Sequence, residues 1–207
     1  MRFHRSLARA VTVAVALCAV SASAEELAIG AQAPEFKLKN VDGKDYTLAQ
    51  VASGKDGKPA AATVVVFTCN HCPFAKDWEQ RIVELANGYT ARGIGAVLIN
   101  ANNPDMHPED GYAEMQTRAK SRGMKIPYVV DDTSAVARAF GASVTPEAFL
   151  FDKSGKLVYH GAIDDNRKQP DKVQARYLKD ALDAVLAGKA PPVAETKSLG
   201  CGIKFRS

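Results

Sequence analysis

Two continuous apolar runs, with one helical segment between them, constrain the fold of this chain more than any other feature of its sequence. The runs are ATVVVF at residues 62–67 and IGAVLIN at residues 94–100. Because their apolar residues do not alternate with polar ones, both runs predict strands that are buried on both faces of a sheet. Between the runs, apolar residues recur at three- and four-residue steps, at Phe74, Trp78, Ile82, Leu85 and Tyr89. This spacing predicts an amphipathic helix from Cys72 to Arg92 that Gly93 ends.

The remaining segments continue the alternation of strands and helices. They are a hairpin around Asp42–Gly43, a helix at about 108–122, a strand at 127–132, a short helix at 133–141 capped by Thr133, a hairpin around residues 153–155, and a helix at 170–188 with Val173 and Tyr177 on its apolar face. Elements in this order predict an α/β fold with a mixed central sheet, helices on both of its faces and an N-terminal β-hairpin.

The first 24 residues have the pattern of a secretory signal peptide. Three arginines precede an apolar run from Val11 to Val20, and an Ala-x-Ala sequence ends at Ala24. The apolar run is far shorter than the roughly 20 residues that a membrane-spanning helix needs. We therefore expect cleavage after Ala24, a periplasmic or secreted product and no stable membrane insertion afterwards. The mature chain is predicted to form one domain at residues 25–190 and a C-terminal tail at residues 191–207.

The charge balance gives no sign of a nucleic-acid partner. The chain has 27 Lys and Arg residues against 23 Asp and Glu residues. Three of the arginines belong to the leader, which leaves 24 basic side chains against 23 acidic ones in the mature chain. A nearly neutral domain lacks the basic surface that binding to a phosphate backbone requires.

Two cysteines three positions apart, Cys69 and Cys72, follow the first buried strand directly, in the sequence FTCNHCPF. Such a pair can be a catalytic dithiol, part of a metal site or a structural disulfide. A disulfide across so short a loop removes little chain entropy, so as a structural bond it would add little stability. Cys201 is left as an odd third thiol in the mature chain.

The ordered set of elements and motifs resembles the thioredoxin superfamily. Within it, the chain is most similar to the redoxin branch, in the peroxiredoxin-like group that carries a Cys-x-x-Cys motif and a Gly-Cys-x-Ile-Lys tail. The segments that carry the resemblance are FTCNHCP, NPDMHPEDGYAEM, ASVTPEAFLFD, GKLVYHGAIDD and ETKSLGCGIKF. The resemblance implies a thioredoxin-like fold in which the bond between Thr145 and Pro146 is cis and Pro146 packs against the dithiol.

The dithiol needs a thiolate to react, and the start of the long helix can provide one. An unperturbed thiol is mostly protonated at neutral pH. If the helix begins near Cys72, its unpaired N–H groups and the positive end of its dipole stabilise an anion at Cys69. We therefore expect Cys69 to be the exposed nucleophile and Cys72 the resolving thiol. His71 is expected to favour the thiolate, and by analogy with His-bearing dithiols the reduction potential is predicted on the order of −200 to −120 mV.

The sequence leaves more than one role open for Glu147 and for Cys201. Thioredoxin-type domains often hold a buried carboxylate beneath the dithiol, but AATVVVF contains no acidic residue. Glu147, next to Pro146, is a candidate for the missing base, and a solvated surface carboxylate is the alternative. Cys201 can dock on the dithiol as a third redox thiol, pair with a partner protein or have no redox role.

Two other functions compete with disulfide exchange. Peroxidases of the redoxin branch resemble Pro-x-x-x-Thr-x-x-Cys, but a match on Cys72 places Cys69 at the threonine and Val65 at the proline. A Cu(I)-binding assembly protein uses two thiolates and a histidine. His107 and His160 are the available histidines, and each is expected to be a surface residue rather than a ligand.

The chain is thus predicted to be an exported thiol:disulfide oxidoreductase that needs no organic cofactor and no metal. Cysteine-containing exported proteins or small thiols are the expected substrates. A membrane-linked redox protein is the expected donor or acceptor of electrons.

Overall fold

The computed structural model describes residues 26–54 and 57–206. The predicted leader, at residues 1–24, lies outside this range, and so does the expected cleavage site. Nine strands and five helices follow one another along the described chain. They are β1 Lys37–Asn40, β2 Asp45–Thr47, α1 Leu48–Ala52, β3 Ala62–Phe67, α2 Pro73–Thr90, β4 Ile94–Asn100, α3 Tyr112–Ser121, β5 Tyr128–Val130, α4 Ala135–Phe140, β6 Val144–Thr145, β7 Glu147–Asp152, β8 Leu157–Gly161, α5 Tyr177–Leu186 and β9 Cys201–Gly202.

Seven of these strands form one mixed sheet, in the order β2-β1-β5-β4-β3-β7-β8. The central strand β3 is parallel to β4 and antiparallel to β7. The predicted N-terminal hairpin, β1 with β2, forms one edge of the sheet, and the second predicted hairpin, β7 with β8, forms the other. The predicted mixed sheet is therefore confirmed.

Helices cover both faces of the sheet, as predicted. On one face α2, α3 and α5 pack against Val64 and Val66 of β3. On the opposite face α1 and α4 pack against Val65 and Phe67 of the same strand. This two-sided burial explains why β3 has no polar alternation in its sequence. Within the described residues, no helix is both long and apolar enough to span a bilayer.

Two helix predictions need correction. The last helix begins at Tyr177 rather than at residue 170, because Asp165 draws the preceding segment into a loop: its amide donates to the Ala175 carbonyl at 3.1 Å, and its carboxylate accepts from the Gln174 amide at 3.0 Å. The cap of α4 is Ser134 and not Thr133, with a left-handed φ of 55°.

The C-terminal tail returns to the domain after α5. Thr196 accepts a hydrogen bond from the Ala162 amide through its hydroxyl at 2.9 Å. Further along, the short strand β9 pairs with β6 in a separate two-stranded sheet. Ile203 then buries its side chain in the same cluster as Phe67. The tail is therefore anchored on both sides of Cys201.

Candidate active site

Strand β3 and helix α2 place the two cysteines next to the cis-proline loop. Phe67, the last residue of β3, pairs with Glu147, the first residue of the antiparallel strand β7. The residues after Phe67 and the residues before Glu147 therefore lie side by side. These are the Cys69–Cys72 loop and the Thr145–Pro146 step, whose peptide bond is cis as predicted.

Both sulfurs contact Thr145. The Cys69 Sγ lies 3.1 Å from the Thr145 hydroxyl oxygen, and the Cys72 Sγ lies 3.3 Å from the Thr145 carbonyl oxygen. All three cysteines of the described chain, Cys201 included, are free thiols. The predicted exposure of Cys69 is wrong, because only 3% of its surface is accessible, while Cys72 is fully buried.

The two thiols shift each other's pKa in opposite directions. A hydrogen bond from Cys69 lowers the pKa of Cys72 to about 4, although burial opposes this shift. Smaller contributions in the same direction come from the Cys201 thiol and from the amides of Ala75 and Cys201. The same hydrogen bond and burial raise the pKa of Cys69.

The expected anion on Cys69 stays a prediction. In the reduced pair the lower pKa falls on Cys72, the N-cap residue of α2, and the pKa of Cys69 is raised. The main cause is the hydrogen bond between the two thiols, while α2 begins at Pro73, close to the expected position.

Asp110 is the buried carboxylate that the sequence reasoning did not find. Its Oδ1 accepts the backbone amides of Asn70, at 2.6 Å, and His71, at 3.2 Å. Its Oδ2 accepts the side-chain amide of Asn102 at 2.9 Å. These contacts hold the loop between Cys69 and Cys72 from the side of β4.

A sequence signal for Asp110 was present. The polar segment ANNPDMHPED follows β4 directly, and β4 is parallel to β3. Loops that follow adjacent parallel strands meet at the same edge of a sheet, which is where polar site residues gather in α/β folds. The buried carboxylate therefore comes from the loop after β4 and not from the sequence of strand β3.

His71 faces the Asp110 carboxylate and a second histidine. Its Nδ1 lies 2.5 Å from the Asp110 Oδ2. Its ring stacks on that of His107, with centroids 3.7 Å apart and an interplanar angle of 4°. The expected surface position of His107 therefore has to be refined: its ring forms part of the polar shell around the dithiol loop.

Glu147 is not placed as a base for the dithiol. One of its carboxylate oxygens lies 3.0 Å from the Nε2 of His160, and the other accepts the amides of Ser143, at 2.8 Å, and Val144, at 3.3 Å. Both oxygens are thus used to hold the segment that leads into the cis-proline. The expected surface position of His160 is wrong, since it is only 2% exposed.

Cys201 completes a cluster of three sulfurs. Its strand pairs with β6 in a register that sets Cys201 opposite Thr145. Its side chain packs against Cys69, Cys72 and Ala75 and is half-buried. Of the three roles considered for Cys201, the structure thus favours docking on the dithiol.

One group of donors at the site has the spacing of a metal site. Single ligand atoms of Cys69, His71 and Asp110 lie within 4.8 Å of one another. A thiolate, an imidazole and a carboxylate suit zinc better than Cu(I), which prefers soft ligands. Asp110 already accepts several N–H groups from the loop, and His71 is hydrogen bonded to it. The donor set therefore does not favour the Cu(I) alternative.

The comparisons with known proteins agree with this architecture. The model of the AhpC/TSA family matches residues 29–160. The chain belongs to the AhpC/TSA family. The matched residues run from before β1 to near the end of β8, and they include the Cys69–Cys72 loop, Asp110 and the cis-proline.

Solved structures resemble the chain over most of its length. An uncharacterized conserved protein from Geobacillus kaustophilus is 40% identical, with a TM-score of 0.79 over 87% of this chain and 93% of that one. A thiol:disulfide interchange protein of the thioredoxin family from Chlorobium tepidum TLS is 22% identical, with a TM-score of 0.56 over 77% of this chain and 98% of that one. The second match shows that the fold is thioredoxin-like.

A curated relative is also similar in sequence. The thiol-disulfide oxidoreductase ResA of Geobacillus thermodenitrificans (strain NG80-2) is 24% identical over 131 residues, which cover 63% of this chain and 67% of the relative.

Proposed function

We propose that this protein is an exported thiol:disulfide oxidoreductase that exchanges disulfides through Cys69 and Cys72. The observation that carries the proposal is the packing of Cys69 against Cys72 beside the cis-proline, where both sulfurs contact Thr145. Interaction between the two thiols also lowers the pKa of Cys72 to about 4. A thiolate beside a second thiol is the arrangement that disulfide exchange needs. The similarity to ResA supports the same class of reaction.

The exchange proceeds in two displacements. The Cys72 thiolate takes the shared proton, and the Cys69 thiolate attacks one sulfur of a substrate disulfide. A bond forms between Cys69 and that sulfur, and the other substrate sulfur leaves as a thiolate. Cys72 then loses its proton to solvent and attacks Cys69. The Cys69–Cys72 disulfide forms and the second substrate thiolate leaves, so that the substrate gains two electrons and the protein loses two.

The residues around the dithiol have supporting roles in this scheme. Thr145 provides a hydroxyl next to Cys69 and so favours its anion, since this contact lowers the pKa of Cys69 against the larger opposing effects. Pro146 shapes the groove beside the sulfurs. Asp110 accepts the His71 amide and faces its ring, and these contacts hold the dithiol loop. A role of His71 in tuning the thiols stays a prediction.

Disulfide exchange is favoured over peroxide reduction by the residue at position 69. The peroxidase pattern requires a threonine there, but this chain has Cys69, whose sulfur is hydrogen bonded to Cys72. Val65, at the position of the pattern's proline, is inside strand β3 and is fully buried.

The proposal includes an exported location for the protein and thiol-bearing partners. The leader pattern at residues 1–24 supports a periplasmic or secreted location. There, cysteine-containing exported proteins or small thiols are the substrates that the dithiol would meet. A membrane-linked redox protein would restore the oxidation state of the dithiol after each turnover.

The test is turnover of insulin disulfides by the wild-type protein and by Cys69→Ser and Cys72→Ser. Both variants are expected to lose turnover entirely, because each lacks one half of the dithiol. Asp132→Asn, a change on an exposed side chain, is the control and is expected to retain full turnover. Turnover that survives in Cys69→Ser would overturn the proposal. Consumption of hydrogen peroxide by Cys69→Ser, with no insulin turnover by the wild type, would favour the peroxidase instead.

A further inference from the structure

The sulfurs of the site are arranged from the interior to the surface. Cys69 and Cys72 are 3% and 0% exposed, and Cys201 is the half-buried member of the cluster. Cys201 packs against the Cys69–Cys72 cluster, and its thiol and backbone amide both help to lower the pKa of Cys72. Cys72 is thus in contact with a buried thiol on one side and with the tail thiol on the other.

The tail holds Cys201 in this position through its backbone. Thr145 lies opposite Cys201 in the β6–β9 pair. Gly200 approaches so closely that a Cβ there would lie 2.2 Å from the Thr145 carbonyl oxygen. After Cys201, the Ile203 amide donates to the Ser143 carbonyl at 2.9 Å, and the Lys204 amide donates to the Asn102 side chain at 2.8 Å. These contacts fix the thiol next to Cys72.

We propose that Cys201 is a third redox cysteine, which exchanges the disulfide with Cys72 and carries it between the buried dithiol and thiols in solution. This inference rests on the proposed function, because it needs a Cys69–Cys72 disulfide to exchange with. The Cys201 thiol would be the group that external thiols attack, because the two sulfurs of the dithiol are buried beneath the tail.

The relay balances without any oxidant other than the disulfide itself. Cys201 loses its proton and attacks the Cys72 sulfur of the Cys69–Cys72 disulfide. The Cys72–Cys201 bond forms, the Cys69–Cys72 bond breaks, and Cys69 leaves as a thiolate that takes up a proton. An external thiolate then attacks Cys201, forms a mixed disulfide with it and releases the Cys72 thiolate. A second external thiolate attacks the external sulfur of that mixed disulfide, which yields an external disulfide and the free Cys201. The protein gains two electrons and two external thiols lose them.

The electrostatics of the cluster favour attack on Cys201 rather than on Cys72. The pKa of Cys72 is lowered to about 4, first of all by the hydrogen bond from Cys69. Burial raises the pKa of Cys201 to about 11. The thiol with the lower pKa is the better leaving group, so an external thiolate that meets the Cys72–Cys201 bond displaces Cys72 and bonds to Cys201. By the same rule the first step of the relay, which releases Cys69 with its raised pKa, is the slower one. Cys201 is also the more exposed of the two sulfurs.

The experiment uses Cys69→Ser, which leaves only Cys72 and Cys201 in the mature chain. The variant is equilibrated with reduced and oxidised glutathione, and its disulfides are mapped by mass spectrometry. We expect an intramolecular Cys72–Cys201 disulfide to be the main product. Glutathione adducts on the two cysteines, without an intramolecular bond, would overturn the inference.

Two glycines of the tail provide a matched pair. In the Cys69→Ser background, Gly200→Ala places a methyl group against the Thr145 carbonyl, whereas at Gly202 the nearest atom to a Cβ is 3.9 Å away. Gly200→Ala is expected to lower the equilibrium yield of the Cys72–Cys201 bond, relative to glutathione adducts, by about tenfold or more, because the effective concentration of the two thiols falls. Gly202→Ala is expected to leave it unchanged. Equal yields in the two variants would contradict a role for the docked tail.

Mapping of the wild-type protein under the same conditions separates this inference from the proposed function. If the wild type forms the Cys69–Cys72 disulfide but Cys69→Ser forms no Cys72–Cys201 bond, only the relay fails. If the wild type forms no Cys69–Cys72 disulfide, the proposed function fails and the relay fails with it.

Discussion

The dithiol loop and the tail strand meet at one cluster of sulfurs, yet they are supported very differently. The loop at residues 69–72 follows β3, the strand at the centre of the seven-stranded sheet, and Asp110 holds it through several N–H groups. Cys201 belongs to a strand of two residues that pairs only with β6. The contrast shows that one fold can hold two sulfurs rigidly at the central sheet. The third sulfur lies on a two-residue strand, β9, whose fewer contacts make it easier to move.

The difference extends to the packing below each part. Phe67, directly before the loop, is fully buried and makes edge-to-face contacts with Phe140 and Phe149, at centroid distances of 5.4 and 5.7 Å. On the tail side, Ile203 is the buried apolar anchor beside Cys201, and it is 7% exposed. More free energy of unfolding therefore depends on the dithiol side than on the tail side.

The largest predicted effect tests this contrast in stability. Phe67→Ala removes a buried aromatic ring and is expected to lower the free energy of unfolding by about 3–5 kcal/mol. Ile203→Ala, at a shallower site, is expected to cost about 2 kcal/mol. Urea unfolding of the two variants measures both values. If Ile203→Ala lowered the free energy of unfolding as much as Phe67→Ala or more, the tail would contribute as much to stability as the residues beneath the dithiol.

A smaller effect is expected from the carboxylate that holds the dithiol loop. Asp110→Asn replaces an acceptor of the Asn102 amide and of the His71 ring with an N–H₂ group, which brings donors together in a buried place. The expected loss is about 1–3 kcal/mol, since a buried polar group is left without its partner.

Thermal or urea unfolding, with Asp132→Asn as the exposed control, checks the prediction for Asp110. The control is expected to change stability by less than about 0.5 kcal/mol. If the two variants had the same stability, the loop would be held by something other than Asp110.

A further prediction concerns the pH dependence that Cys72 gives to stability. Its folded pKa, about 4, lies below its ordinary value of 9.0. The unfolded chain therefore binds more protons than the folded one between these two values, and the contribution of Cys72 to stability rises with pH across this range. It is fully present above pH 9 and is lost as the pH falls through about 4. The opposite shift at Cys69, whose pKa is raised, reduces stability above its unfolded value.

A comparison of unfolding free energies for the wild type and Cys72→Ser, at several pH values, isolates this contribution from those of other groups. The difference between the two proteins should grow as the pH is raised from 4 towards 9. A difference that stays constant over this range would mean that Cys72 is not ionised in the folded protein.

The parts of the fold that could be predicted from the sequence are those with local periodicity. The continuous apolar runs identified β3 and β4, and the helical spacing after Cys72 identified α2. The five-residue helix α1 was missed because it is too short to show a period. The start of α5 is displaced because contacts of Asp165 with Gln174 and Ala175 override the helical pattern of the segment before Tyr177.

Some residues of the site could be predicted from local motifs, and others depend on the tertiary structure. Cys69, Cys72, Thr145 and cis-Pro146 follow from motifs, and the structure brings them together. Asp110 could not be assigned without knowing that β4 lies parallel to β3. The lowered pKa of Cys72 depends on contacts with Cys69 and with the docked Cys201, and such contacts have no signal in the local sequence.

A redox-active dithiol of Cys69 and Cys72 can be detected by titration of the protein against glutathione buffers, with disulfide mapping at each step. We expect a two-electron transition that forms the Cys69–Cys72 bond, with a midpoint on the order of −200 to −120 mV, because the stabilised thiolate favours the reduced form. No two-electron transition, or a midpoint at or below about −270 mV, would contradict it.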